Sequence, residues 1–200
     1  MLVSDVEPRW WYLEIPRTGS TTIDRGLRRI FPKSKAIYQK HWPILPPSEF
    51  NAATSITSIR DPYSRAVSCW QYFTKPGQFS FSAWIRARLD TGFVDNQIEA
   101  RPQAFWYCLR PSWDAVIRQE NFDADFWSAV HQFDSTIQVE SLTKFNVING
   151  AWVNRVGARV HRDRPWQDYY DDISIVCMVN ELYAEDFYVL ENYYGKKLFL

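Results

Sequence analysis

Residues 10–22 read WWYLEIPRTGSTT, and the order of residue types there is that of a strand, a tight loop and a helix start. Trp10 to Ile15 are rich in β-forming side chains. Pro16 ends the run, because it fixes φ and lacks the N–H that a ladder needs. After it, RTGSTT supplies a turn and a helix N-terminus, and Ile23, Leu27 and Ile30 recur at helical spacing from about Thr21 until Pro32 closes the helix. A strand feeding a loop and a helix directs unpaired backbone N–H groups and the positive end of the helix dipole at one spot, which suits an anion. Gly19 allows close approach, Ser20, Thr21 and Thr22 offer hydroxyl donors, and Arg17 adds a permanent charge. The segment is not a Walker A loop: GxxxxGK[ST] needs an earlier glycine and a following lysine, and both are missing.

Further along, TSITSI (54–59) is a β-branched run bounded by Arg60, Asp61 and Pro62. It predicts a buried strand leading into a helix with Asp61 as N-cap and Pro62 at the first helical position. Tyr63, Val67, Trp70 and Thr74 would line one stripe of that helix, with Ser64, Ser68 and Gln71 on another face. Arg60 at the strand end and Ser68 about two turns into the helix could grip a second phosphate, a guanidinium on one side and a hydroxyl on the other. Each segment taken alone reads equally well as an ordinary capped helix beside solvated arginines.

The remaining elements are a short strand at Ala36–Tyr38, a helix in FSAWIRARL, a helix starting near Asp123 in DADFWSAVHQF, and a long closing helix. In the last, Ile173, Val176, Cys177, Tyr183, Phe187, Leu190 and Tyr194 make one amphipathic stripe. Residues 90–120 are less regular and are interrupted by Pro102 and Pro111. Strands alternating with helices predict an α/β architecture: a P-loop-like three-layer fold with a central, mainly parallel sheet flanked by helices, in a single domain over residues 1–200.

Composition narrows the functional classes. Hydrophobic residues make up 46% and charged residues 23%, a globular balance. Lysine and arginine (23) equal aspartate and glutamate (23), so no global field draws the chain to nucleic acid or an anionic membrane, and any anion site is local. No apolar run approaches the roughly 20 residues that span a bilayer, and no signal peptide is visible, which points to a soluble, cytoplasmic protein. Cys69, Cys108 and Cys177 are scattered without zinc-site spacing and read as reduced core thiols; no metal site is expected.

In combination the two segments resemble a known family. IPRTGSTT resembles the 5′-phosphosulfate loop of sulfotransferases that use 3′-phosphoadenosine 5′-phosphosulfate (PAPS), typically P-K-T-G-[ST]-[ST]-[ST]. SIRDPYSRAVS resembles their 3′-phosphate motif, an arginine and a serine separated by seven residues. YQKHWPILPPSEF looks like the segment of the heparan sulfate 2-O-sulfotransferase-like branch in which a histidine follows the second strand. RPQ with IRQENFDADF, and LYAEDFYVLENY, resemble that branch's middle region and closing helix, so most of the chain is covered.

The resemblance implies transfer of the sulfuryl group of PAPS to a hydroxyl by in-line displacement, leaving adenosine 3′,5′-bisphosphate, without a metal. It assigns Arg17, Thr18, Gly19, Ser20, Thr21 and Thr22 to the 5′-phosphosulfate and Arg60 and Ser68 to the 3′-phosphate. His41 becomes the candidate general base, since imidazole titrates near neutrality; His131 and His161 rank below it. Arg17 departs from the family's lysine. A guanidinium, which stays protonated throughout the accessible pH range, stabilises charge on the leaving oxygen without donating a proton. Arg155, Arg159, Arg162 and Arg164 form a basic cluster that could close over a ligand or be merely solvated. Gln103 and Glu120 also fall in family-like segments. The implied acceptor is a carbohydrate or small-molecule hydroxyl. Trp42, beside His41 in a proline-rich loop, could stack on a sugar ring. Two other readings stay open: a P-loop small-molecule kinase, and a non-catalytic nucleotide- or glycan-binding module.

Overall fold

The computed structural model describes residues 1–75, 77–93, 95–138, 152–153, 159–160 and 165–194. In chain order the elements are β1 (Leu2–Ser4), β2 (Trp10–Leu13), α1 (Ser20–Ile30), β3 (Lys35–Ala36), β4 (Thr54–Ile59), α2 (Pro62–Phe73), α3 (Phe81–Thr91), α4 (Ala104–Tyr107), β5 (Ala115–Arg118) and α5 (Phe122–Phe133). They are followed by β6 (Trp152–Val153), β7 (Arg159–Val160), α6 (Ile173–Leu182), α7 (Ala184–Val189) and α8 (Glu191–Tyr194). The chain is α/β, with a five-stranded mixed sheet and helices, and it separates into two compact units: Met1–Arg60 with Phe105–Ile148, and Asp61–Ala104 with Asn149–Leu200.

The first unit holds the sheet, in the order β3-β1-β2-β4-β5. Only β2, β4 and β5 run parallel; β1 is antiparallel to both β2 and β3. The expected mainly parallel sheet is therefore mixed. The antiparallel half arises from β1, a three-residue LVS strand too short to announce itself by periodicity, which pairs Val3 with Trp11. Alternation along β2 sends the adjacent tryptophans to opposite faces. Trp10 and Tyr12 join Ile56 and Ile117 in a core closed by Ile23 and Leu27 of α1 and by Phe126 and Val130 of α5. Trp11 packs instead on Trp113, 5.3 Å between ring centroids, with the Arg110 guanidinium 5.5 Å above it. Both tryptophans are fully buried, at about 150–250 Å² of ring surface each. Asp114 fixes the start of β5 against β4 by accepting from both the N–H and the hydroxyl of Ser55 (2.8 and 2.6 Å).

In the second unit, α2 begins as its sequence directs: the Asp61 carboxylate accepts from the Ser64 N–H at 2.8 Å, and Pro62 opens the helix. Its buried side includes Ser64, Arg65 and Ser68 as well as Val67 and Cys69, so two of the three polar residues read on its second face are inside, while Gln71 is half-buried. Arg65 and Asp186 are both fully buried, 4.0 Å apart. Arg65 also donates to the Glu99 carbonyl (3.0 Å), and Asp186 accepts from the Ala104 N–H (2.8 Å) and Gln103 Nε2 (3.4 Å). Burial pushes the Asp186 carboxyl above the usual range, against the pull of Arg65 and those donors.

The single closing helix is in fact three, because Tyr183 (φ −118°, ψ 27°) and Leu190 (φ −101°, ψ 6°) leave helical geometry. Both side chains are fully buried, and the Tyr183 hydroxyl is tied to the Ala100 carbonyl at 3.0 Å. Ile173, placed on the apolar stripe by periodicity, is 65% exposed. No disulfide joins the three cysteines, but only Cys69 is buried; Cys108 and Cys177 are exposed, so the expectation of three core thiols holds for one. Among the described residues no helix is long and apolar enough to cross a membrane.

Candidate functional site

The loop from β2 into α1 turns sharply. Glu14, Ile15 and Pro16 stay buried after the strand ends, then Arg17 takes φ 65° and Gly19 takes φ 84° before α1 opens at Ser20. Glycine adopts that conformation without penalty, and a Cβ there would meet the Phe122 ring at 3.0 Å, so residue 19 is restricted twice. The helix is left unusually open to an anion: no side chain caps it, and its first turn holds no acidic residue. The Gly19 carbonyl takes the Thr22 N–H at 2.9 Å, so the helix-opening amides without an intrahelical acceptor are those ahead of Thr22. Ser20 and Thr22 are buried and Thr21 is exposed.

Thr18 has a structural task. Its buried hydroxyl bonds to the Ile15 carbonyl (2.7 Å) and to Ser58 Oγ (2.6 Å), and Ser58 Oγ bonds to the Tyr12 hydroxyl (2.8 Å). This chain of hydroxyls pins the loop to β4, so Thr18 shapes the cradle while its oxygen is already engaged. Arg60, at the end of β4 and only 6% exposed, donates from Nη1 to the Arg17 carbonyl at 3.4 Å. The first unit thus brings Arg60 against the turn that carries Arg17.

His41 lies in the segment after β3, also with positive φ (64°). Its carbonyl accepts from Trp106 Nε1 (2.9 Å), and its Nδ1 lies 3.0 Å from the Glu14 carbonyl. Burial lowers its pKa to about 4, helped by the charges of Lys40, the Met1 amino group and Arg17, although the bond to Glu14 works the other way. The ring is neutral at pH 7, Nδ1–H donates to Glu14, and Nε2 keeps its lone pair.

Two further residues, which carry no sequence motif, meet here. Glu14, 5% exposed, interrupts an otherwise apolar run, and its Oε2 accepts from the Met1 amino group at 3.3 Å. Lys40 Nζ lies 3.4 Å from Glu14 Oε1 and donates to Thr21 Oγ1 on the first turn of α1 at 2.9 Å. A charged residue inside the apolar run WWYLEI is the available signal for Glu14; nothing local marks Lys40.

Other expected residues lie elsewhere. Ser68 is 2% exposed on α2, in the second unit. Gln103 is fully buried beside Asp186, a packing role. His131 Nε2 lies 3.0 Å from the Ile137 carbonyl at the end of α5. Trp42 is 51% exposed. Arg155, His161, Arg162 and Arg164 fall outside the described residues, as does the side chain of Arg159. Among the described residues no group of three or more His, Cys, Asp or Glu side chains could hold a metal ion.

Comparison with protein-family models, with curated proteins and with solved structures gave no match.

Proposed function

We propose that the chain is a PAPS-dependent sulfotransferase acting on a hydroxyl acceptor, a carbohydrate or small molecule, within a P-loop-like scaffold. The observation that carries this reading is backbone geometry: among the described residues the non-glycine positions with positive φ are Arg17 and His41, the two assigned to chemistry from sequence. Such conformations cost about 1–3 kcal/mol each and gather at functional sites. The donor set fits a phosphosulfate: an uncapped helix N-terminus without acids, hydroxyls at Ser20, Thr21 and Thr22, and the cations Arg17 and Arg60.

PAPS, when bound, supplies an activated sulfuryl group with adenosine 3′,5′-bisphosphate as its leaving group. Arg17 and the amides opening α1 hold negative charge on the 5′ side, where preorganised donors stabilise it as it grows. Arg60 holds the 3′-phosphate. His41, neutral with Nδ1–H on the Glu14 carbonyl, accepts the acceptor's proton at Nε2. Trp42 offers an exposed ring beside it for a sugar face.

One observation favours a second reading. A pKa of about 4 makes His41 a weak base, which suits a nucleotide-binding module without transfer chemistry. Thermal shift with adenosine 3′,5′-bisphosphate against AMP, ADP and ATP tests the nucleotide class, since a ligand of the folded state raises its stability. Sulfate transfer from labelled PAPS to an acceptor panel then separates enzyme from binding module. Stabilisation by ATP that requires Mg²⁺, with no response to the bisphosphate, would instead indicate a kinase.

A further inference from the structure

Resting on that reading, we infer that Lys40 is a further cation of the cradle, reaching from the segment after β3 to hold the 5′ end of the nucleotide, with Glu14 as its positioning partner. The ammonium carries three donors. One goes to Thr21 Oγ1 at 2.9 Å, which fixes Nζ beside the first turn of α1, where the helix leaves its amides uncapped. A second faces Glu14 Oε1 at 3.4 Å. The remaining one is available to an anion, and the side chain is 39% exposed, so a ligand reaches it.

Glu14 has the character of an anchor. Its side chain is 6% exposed, and Oε1 makes no hydrogen bond, so a buried carboxylate oxygen faces Lys40 without a tight partner. A long, flexible side chain held at its tip by a fixed carboxylate and a helix hydroxyl loses less freedom when an anion arrives. The placement also answers a chemical need. Arg17 offers a rigid planar fork, whereas an ammonium is a compact charge whose donors can follow an oxygen as charge moves onto it.

Calorimetric titration of the wild type, Lys40→Met and Lys40→Arg with adenosine 3′,5′-bisphosphate and with 3′-AMP, which lacks the 5′-phosphate, tests this. Lys40→Met weakens the bisphosphate about tenfold or more and leaves 3′-AMP unchanged, while Lys40→Arg, which keeps the charge, retains most of the affinity. Folding of each variant is checked by circular dichroism and thermal unfolding. If Lys40→Met binds both ligands as the wild type does, or weakens both equally, the inference is overturned while the sulfotransferase reading stands. If the wild type itself does not prefer the bisphosphate to 3′-AMP, the reading beneath it falls, and the inference with it.

Discussion

His41 provides a perturbation whose size follows from its surroundings. An unfolded chain titrates this imidazole near 6.5, whereas in the fold burial and the neighbouring cations bring it to about 4. Below pH 6.5 the unfolded state takes up a proton that the folded state refuses, so stability is complete above about pH 6.5 and falls as the pH approaches 4. At 1.36 kcal/mol per unit, the shift amounts to about 3 kcal/mol, reduced to about 2 because the ring is partly exposed. Other groups titrate in the same window, so the wild type is compared with His41→Asn, which tolerates the positive φ, places an amide donor where Nδ1 meets the Glu14 carbonyl and cannot ionise. Urea unfolding between pH 7.5 and 4.5 should show the wild type losing about 2 kcal/mol more than the variant. Any constant offset between the two is irrelevant. A difference that does not change with pH, or a His41 imidazole titrating near 6.5 by NMR in the folded protein, refutes the reasoning.

Three further outcomes follow from the same contacts. Gly19→Ala lowers stability by about 2 kcal/mol or more in chemical denaturation, combining the left-handed backbone cost with the 3.0 Å approach to Phe122. Asp186→Ala lowers it by about 3 kcal/mol, because it leaves the Arg65 guanidinium buried beside an empty position and removes the acceptor of the Ala104 N–H; a loss below 1 kcal/mol would mean the pair contributes little. Arg17→Ala abolishes sulfate transfer whereas Arg17→Lys retains much of it, measured with labelled PAPS; an inactive lysine variant counts against an electrostatic role for residue 17.

The parts of the fold that sequence revealed are those written in contiguous residues. Thr54–Ile59 was delimited by Asp61–Pro62, and β2 by Pro16, because proline and a capping carboxylate act within a few positions. β1 and β5 were missed: LVS and AVIR are too short to establish a period, and long-range pairing makes them strands. The breaks in the closing helix are not legible because the apolar spacing persists through Tyr183 and Leu190, both buried, where the backbone leaves helical geometry. At the site, Arg17, Gly19 and the hydroxyls were legible from one loop. The bond of the Thr18 hydroxyl to Ser58 is not legible because the two lie 40 residues apart, and Lys40 is invisible because its contacts with Glu14 and Thr21 depend on how the chain returns after β3.

The central claim is that the α1 cradle belongs to a PAPS-dependent sulfotransferase, and the nucleotide it prefers tests this most directly. Thermal unfolding with millimolar adenosine 3′,5′-bisphosphate, against AMP, ADP and ATP, should show a selective rise in Tm with the bisphosphate, equivalent to about 2.7 kcal/mol if the ligand stands at 100 times its Kd. No shift with the bisphosphate, or an equal shift with all four nucleotides, contradicts the account.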